Sequence, residues 1–395
     1  MLRELAIHLY LFAFQIIFHT FKLFPQKKKT VAVASFGDNI MYTAKAIKDI
    51  SDEEVIVLKD EKCRYDFGQV VDDTLSFTIQ QPTQFIKSIY HLATATTILV
   101  DNYQGFLAVT KFRPNVTCIQ LWHAAGAIKR FGLEDPSNDA RTEKAMKRFQ
   151  KVYNHFDYTV VGSEKMATTF HKSFGLEDDR FIRTGIPRSD ILFDEQKKQQ
   201  MYTEINQQFP SINGRKIILY APTFRNDHLT DYELELEINQ MYEKLSDEYV
   251  LFIKLHPAVT NAIDEGYYDF VYDVSDFTEV NSLLLITDVL ITDYSSIPFE
   301  FALLERPMIF YAYDMEEYKI KSGLIEDYEN QMPGPVAFST MELVQVIQDH
   351  AFNLDEVKLF AKQWNEYSNG NASLKLARFI TGVEEKETER KEILV

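Results

Sequence analysis

The chain has 395 residues, 46% hydrophobic and 26% charged, with 30 Phe, 21 Tyr and a formal net charge of −17. That length exceeds one average domain and makes two the working expectation, while the apolar and aromatic content excludes a disordered or low-complexity chain. The acidic excess argues against nonspecific nucleic-acid binding, which needs a basic face for phosphate, and Cys63 and Cys118, far apart and in no metal-ligand spacing, argue against a disulfide framework or structural zinc and fit a reducing, cytosolic setting.

The first element in chain order is an apolar stretch from Leu5 to Phe24, followed by Lys27, Lys28 and Lys29. Three readings compete for it. A spanning helix wants about 20 apolar residues, and His8, Gln15 and His19 interrupt this one. A cleaved signal peptide wants a positive start and a small-residue cleavage site, whereas Arg3 is followed by Glu4 and no such site follows. The favoured reading is a helix lying in the membrane interface with its lysines toward anionic headgroups, which sets residues 1–27 apart. A first helix packed on the core is the alternative.

Beyond it, short apolar runs alternate with helix-period segments, the pattern of βαβ units and parallel sheets. Thr30–Phe36, Glu54–Lys59, Thr96–Asn102, Val116–His123 and Tyr158–Ser163 form a first series of predicted strands. The amphipathic Arg141–Phe156 among them carries Lys144, Lys147, Arg148 and Lys151, either a basic face for a membrane or pyrophosphate lipid or a solvated helix surface. A polar stretch at Asp194–Gly214 reads as the domain crossing. Lys216–Thr223, Tyr249–His256, Asp288–Ser296 and Pro307–Asp314 form the second series. The expected organisation is α/β, with Rossmann-like domains over 28–205 and 206–382. Their parallel sheets face a central cleft, a final helix from about Asp355 packs back, and a charged tail runs over 383–395.

In open parallel sheets ligands bind beyond the carboxyl ends of the strands, so the polar clusters that end these runs are the candidate site. His123, preceded by Trp122 and followed by Ala124, Ala125 and Gly126, is placed for general-base work, with small residues that let a substrate approach the backbone. A buried core histidine is the alternative. Thr223 and Arg225, around the Pro222 turn, suit a phosphate grip, or a plain surface turn. Lys254 and His256 end the next run at Pro257, which forces His256 out of helical geometry; His256 then projects to a diphosphate or is a structural turn. Ser295 and Ser296 precede Pro298 at a predicted helix start, an anion site, with Glu300 one turn in as an acceptor for ribose or glycerol hydroxyls. Simple N-capping by Ser296 is compatible with the same pattern. Arg188, in Gly185-Ile186-Pro187-Arg188-Ser189-Asp190, is a loop cation that reaches across the cleft to a phosphate, or merely a loop residue. No Walker A, G-x-G-x-x-G, H-E-x-x-H or G-x-S-x-G motif is present.

Taken in order, Trp122-His123, Ala221–Arg225, Leu255–Pro257, Thr292–Ser296 and Phe310–Asp314 resemble the CDP-glycerol glycerophosphotransferase family, over roughly Val31 to Phe379. Within it the segments Phe131–Asp135 and Lys147–Tyr153 are similar to the glycerol phosphate primases, as is the short length. One departure is Ala124, where many members carry Gly. The resemblance implies a GT-B-like fold, CDP-glycerol as donor, CMP as product and an undecaprenyl-diphosphate-linked disaccharide as acceptor at the cytoplasmic face of the cell membrane. It implies that His123 is the base, that His256 and Arg225 stabilise the leaving diphosphate, and that Trp122, Ala124, Ala125, Gly126, Arg188, Thr223, Lys254, Ser295, Ser296 and Glu300 line the donor site. No cofactor is evident, no Asp-x-Asp cluster marks a divalent-ion site, and the need for a metal is left open by the sequence.

Overall fold

The computed structural model describes residues 2–223, 234–255, 267 and 269–383. Two compact units emerge: 1–123 with 131–190 and 366–395, and 124–130 with 191–365. The chain passes between them at Asp190–Ile191, before the polar stretch expected to mark the crossing and the boundary expected at 205. The helix Glu195–Gln208 thus belongs wholly to the second unit.

The first unit is built on seven strands: β1 (Lys29–Ala34), β2 (Glu54–Lys59), β3 (Asp73–Ser76), β4 (Thr97–Val100), β5 (Thr117–Gln120), β6 (Tyr158–Val160) and β7 (Phe181–Ile182). They pair in the order β3-β2-β1-β4-β5-β6-β7, all parallel. The second unit has β8 (Lys216–Ala221), β9 (Tyr249–Ile253), β10 (Val271–Asp273), β11 (Val289–Thr292), β12 (Met308–Tyr311) and β13 (Val336–Ala337), ordered β10-β9-β8-β11-β12-β13 and again parallel. Both orders reverse after the first strand, the doubly wound pattern that opens a crevice at the carboxyl ends of the two strands flanking the reversal. β1 and β8 are buried almost throughout because helices cover both faces, which is why they read as unbroken apolar runs rather than alternating ones.

The four strands absent from the predicted series, β3, β7, β10 and β13, are the four sheet edges. Each has two to four residues, too few to display a period. The last helix, Ala372–Thr381, returns to the first unit and packs on Asp38–Ile50 through Ala377 against Ala44, Ala46 and Ile47.

The N-terminal helix, Leu2–Phe21, packs on the protein through one face, as the alternative reading expected. Leu11, Phe14 and Phe18, spaced by three and four, are buried; Phe14 stacks on Phe106 at 5.2 Å and Phe18 meets Phe112 edge-on at 5.6 Å. The opposite stripe, Leu5, Leu9, Phe12 and Ile16, is exposed, Phe12 by 62%. The segment Glu4–Phe21 is long and apolar enough to cross a membrane by length and composition, but one face is committed to the protein core. The basic helix is Glu143–Tyr153. Arg148 on it is held by Glu4 at 3.1 Å and Lys147 by Glu143 at 2.6 Å, while Lys144 and Lys151 are exposed.

Candidate functional site

At the reversal point of the first sheet, three loops meet: Ser35-Phe36-Gly37 after β1, Asp101 after β4, and Trp122-His123 shortly after β5. Asp101 is fully buried. Its Oδ1 accepts the Ser35 N–H at 2.8 Å, and its Oδ2 accepts those of Phe36 at 3.0 Å and Gly37 at 2.7 Å. Burial pushes its carboxyl up to about 7, against the pull of the N–H groups of Ser35 and Gly37; Asp38 nearby adds to the rise. Gly37 sits at φ +96°, and a Cβ there would lie 2.8 Å from Cys63 Sγ. Glycine is required both by the left-handed backbone and by that close approach.

β5 stops at Gln120 instead of running on to His123, because Trp122 adopts φ +56°. A bulky side chain in that region costs on the order of 1–3 kcal/mol and persists only where surroundings over-determine it. Here they do. The Trp122 N–H donates to Gln120 Oε1 at 2.8 Å, its carbonyl accepts from Asn39 Nδ2 at 3.0 Å, and its indole packs on Phe131 at 5.0 Å and Phe174 at 5.2 Å. The turn lays the His123 imidazole between Phe36, stacked at 4.0 Å and 13°, and Trp122 at 4.3 Å.

His123 Nδ1 lies 3.0 Å from the Asp101 main-chain carbonyl. A carbonyl only accepts, so Nδ1 carries the hydrogen and Nε2 keeps the lone pair. Burial pushes the ring's pKa down to about 4; the Asp101 carbonyl opposes the shift, and the Arg188 charge adds to it. The imidazole is therefore neutral at pH 7 and entirely in its basic form, at some cost in intrinsic proton affinity.

Arg188 lies beside the His123 turn. Its guanidinium is paired with Asp38 and its N–H donates to Asn39 Oδ1 at 3.0 Å, which places its charge beside His123. The surrounding loop is a fastening for the returning C-terminal segment. Asp190 accepts the Ala372 and Ser373 N–H groups at 2.9 and 2.8 Å, and Ser368 Oγ accepts from Ile186 N at 3.1 Å.

Residues 124–130 belong to the second unit. Ala125 and Gly126 are buried, and a Cβ on Gly126 would stand 2.2 Å from the Phe299 ring. Close packing on Phe299 accounts for glycine here without a substrate.

The reversal point of the second sheet lies between β8 and β11. Asp293, directly after β11, is buried and its Oδ1 accepts the N–H of Thr223 at 2.7 Å and of Tyr294 at 2.6 Å. Thr292 Oγ1 donates to the Ala221 carbonyl at 2.7 Å, closing the same pair of strands. The Tyr328 hydroxyl donates to the Asp293 carbonyl at 2.7 Å, and Tyr294 donates to Asp314 at 3.1 Å while stacking on Tyr318 at 4.0 Å. Ser296 occupies the cap of the short helix Ile297–Phe301 without a side-chain cap bond. Ser295 Oγ instead accepts the Ile297 N–H at 3.3 Å, so the simple-cap expectation holds for neighbouring Ser295 and not for Ser296. Glu300, one turn into that helix, is 1% exposed. Lys254 Nζ is anchored on the Ser275 carbonyl at 2.7 Å. Arg225 and His256 lie outside the described residues.

Sequence reasoning missed Asp101, Phe36, Gly37, Asp38 and Asn39, and gave Asp293, within Thr292–Ser296, no role of its own. The available signal was an Asp directly after an apolar run, Thr97–Val100 or Val289–Thr292, and a Gly-Asp turn after β1. Among the described residues no group of three or more His, Cys, Asp or Glu is placed to hold a metal ion.

Comparison with known proteins bears on the same features. Residues 16–382 match the family described as CDP-glycerol:poly(glycerophosphate) glycerophosphotransferase. The chain is 43% identical over 302 residues to the teichoic acid glycerol-phosphate primase of Bacillus subtilis (strain 168), covering 76% of this chain and 77% of that protein. It is 38% identical over 302 residues, 76% of this chain and 78% of the relative, to the primase of Bacillus spizizenii (strain ATCC 23059 / NRRL B-14472 / W23). Its fold is like that of the wall teichoic acid polymerase TagF, with a TM-score of 0.79 at 21% identity over 99% of both chains, two parallel-sheet domains of GT-B-like type. The chain thus belongs to the CDP-glycerol:poly(glycerophosphate) glycerophosphotransferase family and is an enzyme that transfers glycerol phosphate from CDP-glycerol.

Proposed function

We propose that this enzyme primes wall teichoic acid synthesis: it transfers sn-glycerol 3-phosphate from CDP-glycerol to the ManNAc hydroxyl of ManNAc-GlcNAc-diphospho-undecaprenol and releases CMP. The observation that carries the chemistry is the His123 constellation. With Nδ1–H committed to the Asp101 carbonyl, Nε2 is the atom left to take a proton. The acceptor oxygen attacks the β-phosphorus as its proton passes to Nε2, and the bond from that phosphorus to the oxygen of CMP breaks. His256 and Arg225 stabilise the charge that CMP carries away. Thr223, Lys254, Ser295, Ser296 and Glu300 shape the donor site at the carboxyl ends of β8, β9 and β11. Trp122, Ala124, Ala125, Gly126 and Arg188 complete the donor site around His123. Such a transfer is driven by positioning and electrostatic stabilisation.

Priming is supported by the two relatives, both glycerol-phosphate primases and both matched over about three quarters of their length. A peripheral place on the cytoplasmic face of the membrane is supported by the exposed stripe Leu5, Leu9, Phe12 and Ile16, which gives a lipid surface an apolar face while the other face holds the helix to the protein. Phe12→Ser is expected to leave thermal stability unchanged and to lower co-sedimentation with anionic lipid vesicles; equal binding would remove the helix from the membrane contact.

The deciding experiment presents CDP-glycerol with either the unprimed disaccharide lipid or the once-primed lipid and counts additions by mass. One addition to the unprimed lipid, none to the primed one, is the expected result. Extension of the primed lipid would make the enzyme a later transferase or polymerase, and release of a nucleoside diphosphate from a sugar nucleotide would make it a glycosyltransferase. Saturating EDTA in the same assay reads the metal question directly: undiminished turnover assigns the diphosphate charge to side chains, and loss restored by Mg²⁺ assigns part of it to an ion.

A further inference from the structure

Nothing about the reaction requires Asp101 to touch substrate, yet this buried carboxylate governs two of the three groups that hold the His123 ring. Its main-chain carbonyl accepts from Nδ1 at 3.0 Å. Its side chain takes three consecutive N–H groups of the turn that carries Phe36, and the Phe36 ring lies 4.0 Å from the imidazole at an interplanar angle of 13°. Phe36 itself is 44% exposed. The third holder, Trp122, is fixed separately through Gln120 and Asn39.

We infer that Asp101 is a positioning residue for the transfer reaction: one residue fixes the hydrogen-bonded edge of His123 through its backbone and one stacked face through its carboxylate. The inference rests on the reading of His123 as the base, and it adds how that base is kept in one tautomer and one plane. The use of both carboxylate oxygens is what makes an amide a poor substitute. In Asp101→Asn, one oxygen still accepts, but the NH₂ must face donors that only an acceptor satisfies. The turn then swings away, and Phe36 leaves the ring. The backbone carbonyl is retained, so the variant separates the two handles.

The charged and titratable groups around the ring are Asp38 and Arg188, paired with each other, and the Asp101 carboxyl itself. Cys63 and Asp60 border the same turn, Cys63 under Gly37 and Asp60 on the Ser35 hydroxyl. Substitution at Phe36 changes none of these charges, and this makes Phe36→Leu the companion to Asp101→Asn.

The test combines steady-state kinetics with NMR titration of the His123 ring in the full-length protein. Asp101→Asn is expected to lower kcat on the order of tenfold to a hundredfold, as misplacement of a catalytic group does, with KM for CDP-glycerol nearly unchanged. The ring should titrate higher by about one unit or more, toward the ordinary histidine value near 6.5, as its stacked face opens to water. Phe36→Leu should move the titration in the same direction with the carboxylate in place. If His123 titrates as in the parent protein in Phe36→Leu, and in Asp101→Asn when that variant folds, the inference is overturned. Should Asp101→Asn fail to fold, Phe36→Leu decides alone. Failure of the base assignment shows differently: His123→Ala would keep turnover while the NMR titrations still report whether the ring is held this way.

Discussion

The two sheets reverse direction at equivalent places, and each secures that point with a buried aspartate directly after the fourth strand of its sheet in chain order, Asp101 in the first unit and Asp293 in the second. In both, the carboxylate accepts main-chain N–H from the loop after the first strand, from Ser35, Phe36 and Gly37 in the first unit and from Thr223 in the second. The details then diverge. Asp101 leads into an aromatic box around a histidine, while Asp293 stands beside tyrosine hydrogen bonds, from Tyr328 to its own carbonyl and from Tyr294 to Asp314. One topological solution to loop anchoring thus supports two chemical environments, an apolar wall around a neutral histidine and a polar set of strand-end side chains.

The largest expected effect falls on the first of these environments. His123→Ala should lower kcat on the order of a hundredfold or more, read in the CMP-release assay; near-parental turnover would remove the base from the first unit altogether.

The next falls on packing in the second unit. Gly126→Ala puts a methyl into the Phe299 ring and should cost about 1–3 kcal/mol in urea unfolding, as overpacking does. A neutral result would return the small-residue run to a role in substrate approach.

The two aspartates can then be set directly against each other. Asp101→Asn leaves a donor facing donors and should lose about 1–3 kcal/mol. Asp293→Asn, at the equivalent place in the second sheet, should lose a similar amount, since both carboxylates accept buried main-chain N–H groups. A clearly smaller loss at Asp293 would mean that other contacts anchor the second loop.

The smallest effect is a pair of opposed pH slopes. The folded Asp101 carboxyl, at about 7 against an ordinary value of about 3.9, binds its proton more tightly than in the unfolded chain. Its contribution is present below the unfolded value and drains as pH rises to about 7. His123, at about 4 against about 6.5, does the reverse, and its contribution is lost as pH falls from about 6.5 to 4. Relative to the parent protein, His123→Gln should lose stability more steeply as pH rises through this window, and Asp101→Asn less steeply. Urea unfolding at several pH values checks both; slopes of the same sign would refute the opposed assignments.

Much of this was legible in the chain. Every interior strand of both sheets was readable as an apolar run, because strands covered on both faces need no polar alternation. The four edges were not, since segments as short as Phe181–Ile182 or Val336–Ala337 are strands only by virtue of a neighbour. His123 and Thr223 announced themselves by position after such runs. Asp101 did not, because an aspartate after a strand has the same one-letter signature whether it faces water or three buried N–H groups. Gly126 was legible as a small residue but not for its reason, which is the Phe299 ring brought to it from more than a hundred residues away.

The sequence by itself determined the two doubly wound domains, the family and the strand-end placement of the polar clusters, since these follow from hydrophobic periodicity and from motifs that are local in the chain. Only the tertiary structure decided the state of those clusters. It turned Trp122 into the left-handed region, chose the His123 tautomer through a carbonyl 22 residues earlier, and paired Arg188 with Asp38. It also split the N-terminal helix into a buried and an exposed face. The physical reason is common to all four: hydrogen-bond partners, stacking and burial depend on which chain segments are brought together, and a linear pattern does not contain that information.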